Sequence, residues 1–266
     1  MRITVVGCSG SLPGPRSAAS CYLVEADGLA EDGTPRTWRL VLDLGSGSLG
    51  PLQRYTAPRD VDAIALSHLH PDHCLDVCGL YVALRYDPTG PRAERMPVFG
   101  PVGTADRLAQ AYGLPTDPGM TAELDVRDWS PATPVVVGPL TVTPYPVLHP
   151  VPAFGMRVEG PGDDDPSRRF ALGYSGDTDS CDGLAALADG VDVLLAEASF
   201  QEGLDTGRGV HLTGRRAGEA AAVGGVGRLV VTHLPPWNDP AVTLAEARQA
   251  FAGPVQLAEP GLHLRL

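Results

Sequence analysis

Residues 67–73 read Ser-His-Leu-His-Pro-Asp-His and directly follow a short apolar run. Three imidazoles and one carboxylate, His68, His70, Asp72 and His73, therefore fall within six positions. Neither a helix nor a strand brings all four side chains to one face, because their periods are about 3.6 and 2 residues. The four converge only if the backbone curls around a ligand. Imidazole nitrogen together with carboxylate oxygen binds divalent metals, so this stretch predicts a metal site.

The rest of the composition limits the partners. The 266-residue chain is 43% hydrophobic and carries a formal net charge of −12, and its length fits one α/β domain, residues 1–266. Nucleic-acid affinity rests largely on basic residues that neutralise phosphates, so the acidic balance disfavours a polynucleotide and allows a small phosphorylated substrate. No apolar run approaches about 18 residues, and the N-terminus enters a strand pattern without a signal segment. We expect a cytoplasmic protein outside the membrane.

Hydrophobic patterning predicts alternating strands and helices. Short runs rich in Val, Ile and Leu predict strands at 2–7, 20–25, 38–44, 62–66, 134–137, 140–148, 154–158, 169–174, 191–196 and 227–233. Helical spacing occurs at 71–85, 103–113, 182–189, 214–224 and 240–252. Polar or Pro/Gly-rich segments predict surface loops at 27–37, 87–97, 113–121 and 160–168. This order favours two mixed sheets facing each other, with helices outside, over a doubly wound parallel sheet.

Three further metal-ligand candidates stand at predicted strand ends. His149 ends one apolar run, Asp177 follows the strand Phe-Ala-Leu-Gly, and His233 ends another run. Strand ends are places where loops carry chemistry on a rigid scaffold. A lone histidine at such a position is more often structural, but the three gain weight in combination with residues 67–73.

The five cysteines do not form a disulfide or zinc-knuckle pattern, because their number is odd and no Cys-x-x-Cys occurs. Cys74 and Cys78 follow the histidine-rich stretch at a spacing of four and could share one helix face. They are either additional ligands or small core residues. We favour the core interpretation.

The metal-ligand candidates follow Asp43, which lies in Leu-Asp-Leu-Gly, in a fixed order: residues 68–73, His149, Asp177 and His233. This ordered set resembles the metallo-β-lactamase superfamily over nearly the whole chain. The resemblance implies an α/β (α+β) fold, a four-layer αββα sandwich with a two-metal cleft. By that likeness His68, His70 and His149 would hold one metal, and Asp72, His73 and His233 the second. Asp177 would bridge them, and Asp43 would orient a ligand histidine or its loop. Zinc is the expected metal, with manganese and iron as open alternatives.

Two other short motifs resemble the RNase Z branch of that superfamily. Glu197 lies in Ala-Glu-Ala-Ser and His211 in His-Leu-Thr, where that branch has Glu-Ala-Thr and His-Ser-Thr. An imidazole oriented by Glu197 would suit a general acid acting on an alkoxide leaving group. The alternative is that His211 merely caps the following helix. Asp72, Glu197 and His211 are the predicted catalytic residues.

One departure bears on the substrate. RNase Z enzymes carry a long tRNA-gripping arm between the third histidine motif and the bridging aspartate, and residues 149–177 leave no room for one. Gly-Cys-Ser-Gly-Ser, Tyr-Ser-Gly-Asp-Thr and Thr-His-Leu-Pro-Pro-Trp are similar to an armless group, the atypical class II-like cyclic-nucleotide phosphodiesterases. Asp76 either supports a ligand or lies on a helix surface, and His263 is most simply structural. The loop with Gly7, Ser9 and Gly10 could line the cleft with backbone amides.

The leading hypothesis is a two-metal phosphodiesterase acting on 3′,5′-cyclic AMP or a related small nucleotide. The alternatives are a tRNA 3′-processing endonuclease, a lactonase or thioesterase, and a non-catalytic module that senses metal or nucleotide. The Glu197/His211 pair favours phosphorus over acyl carbon. The sequence itself gives no oligomeric state, and the resemblance suggests a homodimer.

Overall fold

Two mixed β-sheets face each other in the computed structural model, which describes residues 1–266. The first sheet contains β1 Arg2–Ser9, β2 Ala18–Ala19, β3 Cys21–Leu29, β4 Pro35–Leu42, β5 Ala63–Ala65, β6 Met96–Gly100, β7 Leu124–Asp128 and β15 His263–Arg265. Its spatial order is β15-β1-β3-β4-β5-β6-β7, with β2 paired to β1. Strands β15 to β4 run antiparallel, whereas β4 to β7 run parallel.

The second sheet has the same mixed character. It contains β8 Val135–Val137, β9 Leu140–Pro146, β10 Phe154–Pro161, β11 Arg169–Tyr174, β12 Val193–Glu197, β13 Leu229–Thr232 and β14 Val255–Leu257. The order is β14-β13-β12-β11-β10-β9-β8. Strands β11 to β14 are parallel and β8 to β11 antiparallel. The expected pair of mixed sheets is confirmed.

Helices cover the outer face of each sheet. They are α1 Leu49–Leu52, α2 Pro71–Cys74, α3 Val77–Arg85, α4 Thr104–Tyr112, α5 Asp182–Ala188, α6 Gly214–Gly224 and α7 Pro240–Ala250. A short 3-10 turn spans Pro58–Asp60. The longest helices have 11 residues, and none has the length and apolar character needed to cross a bilayer.

Three apolar layers hold these elements together. The largest cluster has 23 buried residues and lies between the sheets, where Tyr22 and Leu40 meet Val142 and Met156. A second layer joins the first sheet to α3 and α4, and a third joins the second sheet to α5, α6 and α7. Alternate residues of β9 are buried, as expected for a strand with one face in a core. The result is the four-layer αββα sandwich.

Helix boundaries follow local capping chemistry. The Thr213 side chain accepts a hydrogen bond from the Arg216 amide at the start of α6, and the helix ends at Gly225 with φ +61°. Asp239 caps α7 in the same way, and Pro240 occupies its first turn. A side-chain acceptor at the N-cap and a left-handed glycine at the C-terminus satisfy backbone groups that the helix itself leaves open.

Several predicted boundaries were wrong. The segment 71–85 forms two helices, α2 and α3, instead of one, because the α2 turn carries ligand candidates inward. The hairpin loop expected at 27–37 shrinks, since polar side chains such as Asp27 and Thr37 hydrogen-bond across β3 and β4. The loop expected at 160–168 likewise starts later, because β10 continues to Pro161.

Five strands lie outside the predicted apolar runs, among them the three-residue β15 at the C-terminus. β6 begins within the loop expected at 87–97, and its sequence Met-Pro-Val-Phe-Gly contains a proline. β7 alternates apolar and charged residues, Leu-Asp-Val-Arg-Asp. The two-residue β2 and the three-residue β14 are too short for periodicity to appear.

Candidate metal centre

The histidine-rich stretch curls because of its proline and because of a close backbone neighbour. His70 is extended and precedes Pro71, which begins the four-residue α2. Proline at the first helical position fits its fixed φ. The loop after β4 packs on this turn: the Leu44 amide donates to the His73 carbonyl at 2.8 Å. A β-carbon on Gly45 would lie 1.9 Å from the Asp72 carbonyl oxygen, so only glycine fits there. The curl is therefore built into the backbone.

The ligand candidates gather into two neighbouring groups at one edge of the sandwich. His68 Nε2 lies 3.0 Å from His70 Nδ1, which lies 3.3 Å from His149 Nε2. These three residues form the outer group, and two of them are only partly buried. The inner group contains four buried residues, Asp72, His73, Asp177 and His233.

Asp177 joins the two groups. Its Oδ1 lies 3.2 Å from His73 Nε2 and 3.4 Å from His233 Nε2, whereas its Oδ2 lies 3.7 Å from His68 Nε2. The structure thus brings together all seven metal ligands predicted from the sequence. One carboxylate lies between two sets of donors, in the place of a bridging ligand.

Parallel strands explain why distant residues meet. Tyr174 ends β11, Glu197 ends β12 and Thr232 ends β13, and their carboxyl ends lie at one edge of the second sheet because these strands are parallel. Asp177 and His233 follow two of those ends. The stretch 67–73 follows β5 in the first sheet, and the Phe154 amide donates to the Ser67 carbonyl at 2.9 Å. This contact joins the two sheets beside the site.

Hydrogen bonds on the far side of each ring assign its tautomer. His149 Nδ1 lies 2.9 Å from the Val210 carbonyl, and His73 Nδ1 lies 2.7 Å from an Asp43 oxygen. Both partners can only accept, so each neutral ring carries its proton on Nδ1 and leaves a lone pair on Nε2. The converging atoms of these rings are therefore bare acceptors.

The same assignment extends to two more rings through serine hydroxyls. Ser199 donates its hydroxyl proton to the His233 carbonyl, so its oxygen accepts from His233 Nδ1 at 2.8 Å. Ser67 donates to Asp43 and accepts from His68 Nδ1 at 3.1 Å. Each hydroxyl has one proton, which the carbonyl or carboxylate takes. Four imidazole lone pairs consequently point into a buried space beside carboxylate oxygens.

Such a cluster needs a positive charge at its centre. Asp177 Oδ1 is buried without a hydrogen-bond partner, and an unpaired buried charge is costly. Burial acts to raise the pKa of Asp177, and positive charge on the His233 and His73 rings outweighs burial and holds this pKa well below its usual range. With both rings neutral, a bound cation has to supply that charge. Donors about 2.0–2.1 Å from a tetrahedral cation lie about 3.4 Å apart, and the inner-group contacts of 3.1–3.5 Å match. The donor set fits divalent metal.

Asp43 holds the inner group in place. This fully buried residue accepts hydrogen bonds from the Ser67 amide and hydroxyl, from Tyr174 and from His73. Its backbone has φ +55°, and that of His233 has φ +57°. Left-handed backbone at residues other than glycine costs energy and gathers at functional sites. The position of Asp43 behind His73 agrees with the supporting role predicted from the sequence.

Glu197 and His211 form a separate pair beside the outer group. His211 Nδ1 donates to Glu197 Oε1 at 2.8 Å, and Glu197 also accepts from the amides of Thr178 and Ser199. The His211 ring centre lies 5.4 Å from that of His149. Burial acts to lower the pKa of His211, but Glu197 outweighs burial and raises it to about 9. His211 caps no helix, since Thr213 caps α6.

The other sequence candidates lie outside the donor set. Cys74 and Cys78 belong to the core beside α3, as the core interpretation expected. Asp76 accepts from the Gly47 and Leu49 amides and so supports the loop before α1 rather than a ligand. A β-carbon on Gly10 would lie 2.3 Å from the His233 carbonyl oxygen, so the first glycine-rich loop packs closely against the site. His263 contacts Thr4 at 3.0 Å, far from the donors in the fold.

Sequence reasoning missed the groups that act behind the ligands. Ser67, Ser199, Tyr174 and the Val210 carbonyl fix ring tautomers or Asp43. A hydroxyl beside a predicted strand end carries no distinctive spacing, and a backbone carbonyl has no signal in sequence. Asp179 was also missed, although it lies two residues after Asp177 in Tyr-Ser-Gly-Asp-Thr-Asp.

Comparison with known proteins places this site in a family. Residues 39–234 match the sequence family described as beta-lactamase superfamily domain. The chain is 45% identical to an uncharacterized protein of Mycobacterium tuberculosis, Rv1339, over 258 residues that cover 96% of this chain and 88% of the relative. It is 28% identical to the probable metallo-hydrolase YhfI of Bacillus subtilis, with 98% of both chains covered. A ribonuclease Z of Halorubrum lacusprofundi is 26% identical over 98% of this chain and 96% of the relative.

Solved structures agree with this assignment. The crystal structure of YhfI has a TM-score of 0.83 at 27% identity and covers 100% of this chain and 99% of that one. A diphosphatase from the PhnP family shares the fold, with a TM-score of 0.71 at 19% identity and coverage of 100% and 97%. The family match spans more than half of the chain and contains every metal-ligand candidate. The chain therefore belongs to the metallo-β-lactamase superfamily, in its RNase Z-like branch, and is a metal-dependent hydrolase.

Proposed function

We propose that this protein hydrolyses a small phosphodiester, with 3′,5′-cyclic AMP or a related cyclic nucleotide as the first candidate. The observation that carries the proposal is the buried Glu197 bound to His211 beside two donor groups that share Asp177. The outer group and His211 are the more exposed part of the site. Substrate would therefore approach from their side.

The two donor groups would hold two cations. His68, His70 and His149 would bind one, and Asp72, His73 and His233 the other, with Asp177 between them. When bound, the cations would acidify a water molecule and offset the charge of the phosphoryl oxygens. Asp43, Ser199 and the Val210 carbonyl keep the rings in the tautomer that ligation requires.

His211 would supply the proton for the leaving ribose oxygen. Glu197 is fixed by two backbone amides and accepts from Nδ1 of His211, which leaves Nε2 available. With its pKa raised to about 9, the ring is protonated at neutral pH and can act as a general acid. An alkoxide leaving group needs such a proton, whereas an activated aryl oxide does not. This pairing supports phosphodiester chemistry over acyl transfer.

The segment between His149 and Asp177 supports a small substrate. It holds only β10, β11 and the turn between them, without an arm that could grip RNA. The net charge of −12 also weakens binding to a polyanion. The similarity to a ribonuclease Z keeps tRNA 3′ processing as the second candidate.

A hydrolysis screen tests the proposal. The purified protein is assayed with zinc or manganese on cyclic nucleotides, precursor tRNA, lactones and thioesters. We expect turnover of cyclic nucleotides and of bis(p-nitrophenyl) phosphate, without cleavage of precursor tRNA. Hydrolysis confined to lactones or thioesters contradicts the proposal, and cleavage of precursor tRNA alone favours the second candidate.

A further inference from the structure

Asp179 is a buried carboxylate that the chemistry above does not use. Its side chain is 1% exposed, and it lies two residues after Asp177. Its Oδ2 accepts from the Gly209 amide at 2.8 Å and contacts Arg208 Nε at 2.9 Å. Its Oδ1 accepts from the Ser180 amide at 2.7 Å and from Arg216. Both oxygens are thus fully used, and two of the four donors come from residues 208–209.

Residues 208–211 form a short segment, called here the catalytic segment, that reaches the metal centre. It follows residues 202–207, which are exposed and belong to no helix or strand. Three successive anchors hold it: Asp179 at residues 208–209, His149 at the Val210 carbonyl, and Glu197 at His211. Without such contacts, a chain segment of this kind gains conformational freedom.

The anchor itself is rigid. The Asp179 amide donates to the Leu148 carbonyl at 2.9 Å, beside His149. Arg216 lies in the first turn of α6, is 5% exposed and donates to Asp179 from the protein interior. A buried carboxylate paired with a buried guanidinium keeps its geometry, because separating the charges is costly. Asp179 thereby joins α6, the loop after β9 that carries His149, and the catalytic segment.

We propose that Asp179 is a positioning residue: through the catalytic segment it sets the His211 ring for proton donation and the His149 tautomer for metal binding. This inference rests on the proposed function. Asp179 contacts none of the metal-ligand candidates, so its side chain acts through residues 208–211. A displacement of about 1 Å in a reacting group can lower a rate by about 100-fold.

The test uses Asp179→Asn, which keeps the shape and removes the charge, and Arg208→Ala, which removes one contact at a 67% exposed side chain. Asp165→Asn is the matched control, because Asp165 also accepts from a backbone amide within an exposed turn. Each variant is assayed on cyclic AMP and on bis(p-nitrophenyl) phosphate. Hydrogen–deuterium exchange of residues 209–211 is measured in parallel.

We expect Asp179→Asn to lower kcat on cyclic AMP by about 100-fold and on the aryl ester by about 10-fold, with at least tenfold faster exchange in the catalytic segment. Arg208→Ala should change both readouts in the same direction by a smaller factor, and Asp165→Asn should change neither. An unchanged substrate ratio with unchanged exchange in a folded Asp179→Asn overturns the inference. If that variant does not fold, unchanged values in Arg208→Ala overturn it.

Failure of the proposed function has a different signature. The wild-type protein would then hydrolyse neither phosphodiester. Exchange still reports on the anchor in that case: faster exchange in Arg208→Ala supports the anchoring role, and unchanged exchange overturns it.

Discussion

Asp163 and Asp177 lie at opposite ends of the sandwich and have opposite surroundings. Asp163 follows β10 and contacts Arg2 at 2.6 Å and also Arg265. Asp177 follows β11, the antiparallel partner of β10, and is surrounded by histidine nitrogens, with one oxygen that lacks any partner. Arginine side chains of the chain pair with Asp163, whereas Asp177 has only histidine and aspartate side chains around it.

This contrast separates stability from function. A carboxylate paired with arginine contributes to the stability of the folded chain without a bound cation. A buried carboxylate facing imidazole lone pairs is stable only when a cation joins it. Changes at the two ends should therefore have different consequences, and their sizes can be compared.

The largest expected effect comes from Asp177→Asn. Removing this charge should lower phosphodiester hydrolysis by about 10³-fold or more, because Asp177 would no longer offer an anionic oxygen to cations held by the two donor groups. Asp163→Asn is the matched control, expected to keep activity within about twofold and to lose about 1 kcal/mol of stability. Steady-state kinetics and urea unfolding measure both. Comparable activity in the two variants would contradict the assignment of Asp177 to function and of Asp163 to stability.

The second largest expected effect is a loss of thermal stability when metal is removed. A ligand at about 1,000 times its dissociation constant stabilises a protein by about 4 kcal/mol, which corresponds to about 10 °C in Tm for a chain of this size. We expect a chelator to lower Tm by that amount in the wild type and in Asp163→Asn, and by much less in Asp177→Asn. Differential scanning calorimetry measures these shifts. Equal chelator effects in all three proteins contradict the assignment.

His211→Ala distinguishes proton donation from metal binding within the site. We expect kcat on cyclic AMP to fall by about 10²–10³-fold, and on bis(p-nitrophenyl) phosphate by less than about tenfold, because a good leaving group needs no proton. Steady-state assays with both metals supplied give the ratio. Equal losses on the two substrates would remove the general-acid role.

The smallest expected effect is the pH dependence of the stability that Asp27 contributes, at the same end of the sandwich as Asp163. A hydrogen bond from Arg2, with help from Thr37, lowers the pKa of Asp27 to about 2, from 3.8 in an unfolded chain. The resulting stability is present above pH 4 and is lost as pH falls toward 2. Asp27 is 66% exposed, so solvent reduces this contribution below about 1 kcal/mol. Arg2→Gln should thus be less stable than the wild type at pH 7, and the difference should shrink below pH 4. Urea unfolding of chelator-treated protein tests this; a difference that grows with acidity has the wrong sign.

The sequence predicted the contiguous part of the site best. Residues 67–73 carry four donors at a spacing that no regular element explains, so a metal turn follows from the residues alone. His149, Asp177 and His233 needed the order of motifs as well as their strand ends, because each histidine or aspartate alone is ordinary. The structure brings all of them together.

Contacts that depend on the fold could not be predicted from the sequence. Asp27 and Thr37 look like loop residues, yet they pair across an antiparallel hairpin. In the sequence Asp179 looks like an ordinary surface aspartate, and only the folded structure places Arg216 of α6 beside it. Three of the four assigned tautomers depend on a carbonyl and two hydroxyls whose positions are set by the packing of both sheets. Such groups are visible only after distant segments have been placed.

Metal content with anomalous scattering tests the central claim most directly. Protein purified with zinc or manganese is analysed by elemental mass spectrometry, and crystals are measured at the metal absorption edge. We predict two ions per chain, one among His68, His70 and His149 and one among Asp72, His73 and His233, with Asp177 contacting both. A metal-saturated protein that holds no ion between these two donor groups would contradict the account.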